Sequence, residues 1–246
     1  MKRIHVLSAV LLLAVGASAP ADDLAALQKA WFGSTKPGSW VKYEQTQTDP
    51  KGKVQKSELT LSRLAGEGDR VWFEMRIVPR EGARGKPTTM RYLLNPDFKV
   101  EKNALDYLKH VEKLILQEDG SEAMEYPVEM MSQVGAAFVS NVDYGADVAS
   151  LGPCTSDGKT GEKVRIQGSF DVKILFVRSK GATDSELCMS DAVPFGRLYE
   201  KTVTTSDKGK PVGTFEMRVL DSGSGATSAI KGPVKEVEMP RMPWGG

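Results

Sequence analysis

Histidine and cysteine are scarce in this chain, with two of each in 246 residues. A zinc site draws its ligands mainly from those two residue types, so no metal or other cofactor is expected. His5 belongs to the N-terminal leader described below, which leaves His110, in a Leu-Lys-His-Val context, as the one histidine of the processed chain. No Gly-x-Ser-x-Gly accompanies it, and no nucleophile–base pair is visible. Excess charge of one sign is also lacking: 33 Lys+Arg stand against 32 Asp+Glu. A generic polyanion binder needs a strong basic surplus. Lysines and arginines alternate here with acids instead of framing aromatic residues, so nucleic acid is not an expected partner. Long apolar runs are missing after residue 15, and nothing later approaches the roughly 18 consecutive apolar residues of a membrane span.

Acidic residues are plentiful but unpatterned. Glu122, Glu125 and Glu129 read as a polar face. Asp143 and Asp147 lack the ligand density of a calcium loop, and Gly223-Ser224-Gly225-Ala226 leads into neither a helix pattern nor a lysine, as a phosphate loop would. The chain reads as a non-enzyme.

The first 21 residues form an address. Lys2 and Arg3 make a positive start, Val6 to Val15 is an apolar stretch broken only by Ser8, and Ala19-Pro20-Ala21 supplies small residues at a cleavage site. This is the pattern of a secretory signal peptide, cut after Ala21. An N-terminal anchor is the competing reading, but the apolar stretch is short for the roughly 30 Å of a bilayer core. Processing leaves 31 Lys+Arg against 32 Asp+Glu, and no transmembrane segment remains. The expected location is the periplasm or the exterior. In such a compartment Cys154 and Cys188 are most simply a structural disulfide; a redox pair would normally be a Cys-x-x-Cys.

Period-2 alternation organises most of the rest. Strands are expected at 40–48, 58–64, 71–78 and 88–94, separated by Asp49-Pro50-Lys51-Gly52, Gly66-Glu67-Gly68-Asp69 and a Pro/Gly-containing loop at 79–87. Further strands are expected at 111–118, 162–167, 170–177, 197–205 and 214–220, with a break at Gly168-Ser169. Helix signals fall at 22–31, at 103–109 and at 127–139, where Pro127 suits a first helical position. Helices that interrupt strands without alternating with them argue against βαβ winding. The expected fold is α+β, mostly β. It comprises one domain over 22–230, with a Gly/Pro-rich tail at 231–246 that carries Trp244 near its end.

One sheet face is conspicuously apolar. Val71, Phe73, Met75 and Ile77 share a side of one strand, Phe170, Val172, Ile174 and Phe176 of another, and Phe215, Met217 and Val219 of a third. Such a face must be covered. Covered completely it is a filled core; covered incompletely it lines a hydrophobic cavity, for which methionines supply an adaptable lining.

Several segments resemble exported bacterial proteins of the LolA/LolB lipoprotein-carrier superfamily. They are Pro37-Gly38-Ser39-Trp40-Val41-Lys42-Tyr43, Gly66 to Glu74, Gly168 to Lys173, Ser190 to Gly196 and Leu220 to Ala226, in that order. The resemblance implies a curved antiparallel sheet, a half-barrel, with two or three helices over its concave face and room for acyl chains. This chain departs from the carriers in its greater length and in its expected disulfide, and no individual binding residue transfers. Two functions are compatible with this reading. One is a periplasmic binding protein holding a lipid or lipidated partner against the eleven apolar residues named above. The other is a scaffold component of a cell-envelope complex serving a surface, secretion or motility apparatus, with an envelope protein as partner.

Overall fold

The computed structural model describes residues 35–95, 110–127, 146–174 and 177–237. They form one open, curved sheet in which two meanders meet. Strands β1 (Trp40–Thr48), β2 (Val54–Glu67), β3 (Arg70–Pro79), β4 (Thr88–Leu94), β5 (Val111–Glu118) and β6 (Ala123–Tyr126) run outward from the middle, each antiparallel to the last. Strands β7 (Ala146–Ser156), β8 (Lys159–Ile174), β9 (Val177–Met189), β10 (Arg197–Ser206) and β11 (Pro211–Gly223) return from the opposite edge. Antiparallel pairing of β11 with β1 joins the halves, with Trp40 opposite Gly223 and Thr48 opposite Thr214. A short last strand, β12 (Val234–Glu236), adds to β6 in parallel.

The expected strands at 40–48, 88–94 and 111–118 are found at those bounds, and the strand expected at 58–64 is longer. The expected break at Gly168-Ser169 is absent. Gly168 pairs with Ala146 on one side and Thr183 on the other, and a glycine held by two neighbours does not interrupt a strand. The expected helices at 22–31, 103–109 and 127–139 lie outside the described residues, apart from Pro127, as does the signal segment. Among the described residues the only helical element is a 3-10 turn at Pro194–Gly196. The architecture is therefore mostly β, and the helices expected over the concave face have no counterpart among the described residues. No described helix is long and apolar enough to cross a membrane.

Alternation sorts the strands into two faces. On the inner one, Leu59 lies beside Tyr43, Phe73 beside Tyr92, Met75 beside Met90, and Tyr92 beside Leu114. These residues, with Val41, Val71, Leu94, Val111, Phe215 and Met217, form the main buried cluster. Phe73 and Tyr92 stack with ring centroids 5.8 Å apart. The outer face of β8 to β11 and β1 is laced with exposed ion pairs, among them Lys163–Glu186, Lys201–Glu216 and Arg218–Glu44. Pairs of this kind contribute little to stability.

The segment after β11 is a strap. The Ala226 amide donates to the Gly38 carbonyl at 2.8 Å. The strap then crosses the outer face of the first meander. Glu74, 3% exposed there, accepts from the Ser228 hydroxyl at 2.5 Å and the Ala229 amide at 2.8 Å. Gln117 exchanges side-chain hydrogen bonds with the Lys231 backbone amide and carbonyl, at 2.9 and 2.8 Å. Leu93 and Ile115 are buried on this same face. Strap residues are small and polar because they run close over a sheet whose own carboxylate and amide side chains satisfy their backbone groups.

Cys154 and Cys188 form the expected disulfide, with Cα atoms 6.0 Å apart. They sit on β7 and β9, which flank β8 and are not paired with each other. In a flat sheet such strands lie about 10 Å apart, so the sheet curls sharply here. Gly161 of β8 allows the approach: a Cβ on it would lie 2.2 Å from the Met189 carbonyl oxygen.

Two outcomes are expected. Replacing both cysteines by serine lowers unfolding stability by about 2–4 kcal/mol, measured by urea titration against the oxidised protein. Glu74→Ala, which leaves two strap donors without their acceptor, costs about 1–3 kcal/mol, and amide exchange at Ala229 rises more than at Leu59.

Candidate functional site: a polar group on the apolar inner face

The inner face changes character across the β1–β11 seam. On the β2–β5 side nearly every inward position is apolar. On the β9–β10 side the inward positions include Ser185, Glu200 and Thr202, all buried, with Glu200 1% exposed. Register accounts for the juxtaposition: Glu200 lies opposite Leu187 on β9 and Met217 on β11, and Thr202 opposite Ser185 and Phe215.

These side chains form one hydrogen-bonded group. Arg197, 7% exposed, donates from its guanidinium to Oε2 of Glu200. The Thr202 hydroxyl donates to Oε1 of Glu200 at 3.1 Å, and the Ser185 and Thr202 hydroxyl oxygens are 2.8 Å apart. Both carboxylate oxygens thus carry a donor, and the pair is neutral as a unit. Isolated buried charge is very costly, and a buried pair persists only where its geometry and extra hydrogen bonds offset the loss of water.

Tyr43 of β1 completes the site. Its side chain lies in the apolar cluster and is 1% exposed. Its hydroxyl is buried and has no hydrogen-bond partner among the described residues. Burial pushes its ionisation well above the ordinary tyrosine range, while Arg197 pulls it down and Glu200 pushes it further up. The phenol therefore lies within electrostatic reach of the ion pair and stays protonated, a donor at any physiological pH. An unsatisfied buried hydroxyl costs about 1–3 kcal/mol, which a phenylalanine would avoid.

Part of the cover over this face comes from the β9–β10 connection. Phe195 is buried in the main cluster and meets Phe73 edge-on at 6.1 Å. Its turn packs against β1. The Phe195 amide donates to the Thr35 hydroxyl at 3.1 Å, and its φ of 63° lies in the left-handed region, uncommon and costly for a bulky residue.

The eleven apolar residues singled out from sequence divide in the structure. Val71, Phe73, Met75, Phe215 and Met217 are buried together in the main cluster, and Ile77 and Val219 pack against it half-buried. Phe170 is half-buried on β8, opposite Gly181, where a Cβ would come within 2.7 Å of its ring. Val172 and Ile174 continue β8; their side chains, and Phe176 altogether, lie outside the described residues. Sequence reading missed Tyr43, Arg197, Glu200, Thr202 and Ser185. The available signal was polar residues at inward positions of strands whose other inward residues are apolar. Among the described residues, no group of three or more His, Cys, Asp or Glu could hold a metal ion.

No family model matches the chain, and no curated protein matches it. Several solved structures are similar. A Parabacteroides distasonis chain inferred to be a lipoprotein has 8% identity and a TM-score of 0.42, over 77% of this chain and 96% of that one. A DUF1329 family protein from Desulfovibrio piger has 11% identity and a TM-score of 0.39, over 86% and 96%. A LolA superfamily protein from Nitrosomonas europaea has 8% identity and a TM-score of 0.30, over 83% and 94%.

Glu200→Ala strands the Arg197 charge in a buried setting. The expected loss is about 3–5 kcal/mol, read by urea unfolding. The double replacement Arg197→Met with Glu200→Leu is expected to recover most of it.

Proposed function

We propose that this is an exported, non-enzymatic binding protein of the cell envelope that holds an acyl chain, of a lipid or a lipidated partner, against the inner face of its sheet. One observation carries the reading: the apolar cluster has a half-buried margin where it meets the β3–β4 turn. Met90 of β4 lies between Met75 of β3 and Leu116 of β5, and Leu116 lies beside Met124 of β6. Ile77, two residues beyond Met75, belongs to the same margin, and Ile77, Met90 and Leu116 all pack on the buried cluster.

Each methylene moved from water onto such a surface contributes about 0.8 kcal/mol, so a segment of an acyl chain suffices for useful affinity. Methionine side chains adapt to chains of differing length and unsaturation. The buried members Val71, Phe73, Met75, Phe215 and Met217 form the floor, and half-buried Phe170 continues the apolar surface on β8. The secretory leader supports placement in the periplasm or outside the cell.

Native mass spectrometry of the processed protein, purified from cell envelopes without detergent, is expected to show lipid-mass adducts. Leu116→Glu is expected to weaken a fluorescent acyl probe by about tenfold or more. Leu220→Glu, at an outward position 45% exposed, is expected to leave binding unchanged. Absence of both adducts and saturable probe binding in the unaltered protein sinks the reading.

A further inference from the structure

We infer that the polar group beneath the inner face reads the linkage of the bound acyl chain: it takes an ester or amide carbonyl, through the Tyr43 hydroxyl, in preference to a free carboxylate. The inference rests on the acyl-binding reading above and deepens it. Three observations carry it.

The first is the unpartnered donor. Tyr43 is 1% exposed, sits among apolar side chains, and its hydroxyl has no acceptor among the described residues. A ligand atom able to accept one hydrogen bond completes it; a purely hydrocarbon ligand does not.

The second is charge balance. Arg197 faces Glu200, and the remaining oxygen of Glu200 is engaged by Thr202, which is itself within bonding distance of Ser185. The group is neutral and internally paired. A fatty-acid carboxylate brought beside it would be a second buried anion facing a single cation already in use, the costly uncompensated case. A neutral carbonyl oxygen brings an acceptor without a charge.

The third is placement. Tyr43 has Leu59 of β2 on one side and Val219 of β11 on the other. It therefore stands where the apolar half of the inner face meets the half bearing Glu200. An acyl chain lying over β2 to β5 has its hydrocarbon on the cluster and its linkage carbonyl at the seam. Phe195, whose turn packs against β1 and whose ring meets Phe73, is the covering side chain that such a ligand displaces.

Acyl carbonyls of this kind occur in glycerophospholipids and in the modified N-termini of lipoproteins. Three probes separate the cases: dipalmitoyl phosphatidylglycerol, a synthetic tripalmitoylated lipopeptide, and palmitate. Each is titrated against the processed protein and Tyr43→Phe. The variant is expected to lose about five- to tenfold affinity for the phospholipid, the lipopeptide or both, the scale of one hydrogen bond, while its palmitate affinity is unchanged. Its thermal midpoint is expected to equal or exceed that of the unaltered protein, since the removed hydroxyl has no partner among the described residues. Infrared spectra of the unaltered protein with 13C-carbonyl-labelled lipid provide an independent readout, in which a downshifted carbonyl band marks the hydrogen bond. Equal affinities of both proteins for the carbonyl probes, or an unshifted band in the bound lipid, overturns the linkage inference and leaves acyl binding standing. If no probe binds the unaltered protein, both fall.

Discussion

Everything in this molecule depends on the pairing of β1 with β11. Without it the first six strands and the next five would be separate meanders, each with an apolar face and no common interior. The seam fixes a register in which Tyr43 stands opposite Val219, after a bulge at Lys42/Tyr43. That irregularity sets which β11 residues face inward. A slip of one residue would turn Phe215 and Met217 outward and bring Glu216 and Arg218 into the interior. The charged outward set, with Arg218 bonded to Glu44, therefore resists the slip as firmly as the apolar set favours the native alignment.

Two chemically different half-faces are welded at that seam. The half built from β2 to β5 excludes water by packing alone, with Phe73, Tyr92 and Phe195 as its aromatic members. The half from β9 and β10 buries Arg197 and Glu200 and needs Thr202 and Ser185 to complete their hydrogen bonding. Well-packed apolar residues would often be at least as stable in their place. A polar group is retained at this cost beside a phenol that has no acceptor among the described residues, and the proposed linkage recognition builds on that arrangement.

Legibility from sequence follows the same division. Strands of the apolar half alternate cleanly, so Val71 to Val78 and Thr88 to Leu94 announce themselves, and the resemblance of Pro37 to Tyr43 points to the right kind of sheet. Strand β9 does not. Its inward positions are Gly181, Thr183, Ser185 and Leu187, and a run with one apolar residue in four carries no period-2 signal. Gly181 looks like a breaker, yet it is the position over which the Phe170 ring sits. The Tyr43–Arg197–Glu200 group was invisible for a related reason. Tyr43 is 154 positions from Arg197 and 157 from Glu200, and only the β1–β11 and β10–β11 registers bring it to them.

The strap covers one of the sheet's two faces. A single sheet must cover two faces. Here the outer face of the first meander is closed by the chain's own extended segment, with Glu74 and Gln117 supplying the hydrogen bonds that its backbone lacks. Pairing of β12 with β6 then occupies what would otherwise be an open strand edge, the kind of edge that invites unwanted association. At the opposite margin β7 carries Gly152 and Pro153 together with an irregularity in its pairing to β8, and the disulfide ties it to β9. Glycine, proline and a bulge in β7 all discourage the addition of another strand. Both edges are thus managed, and the outer face of the first meander is covered by the chain itself.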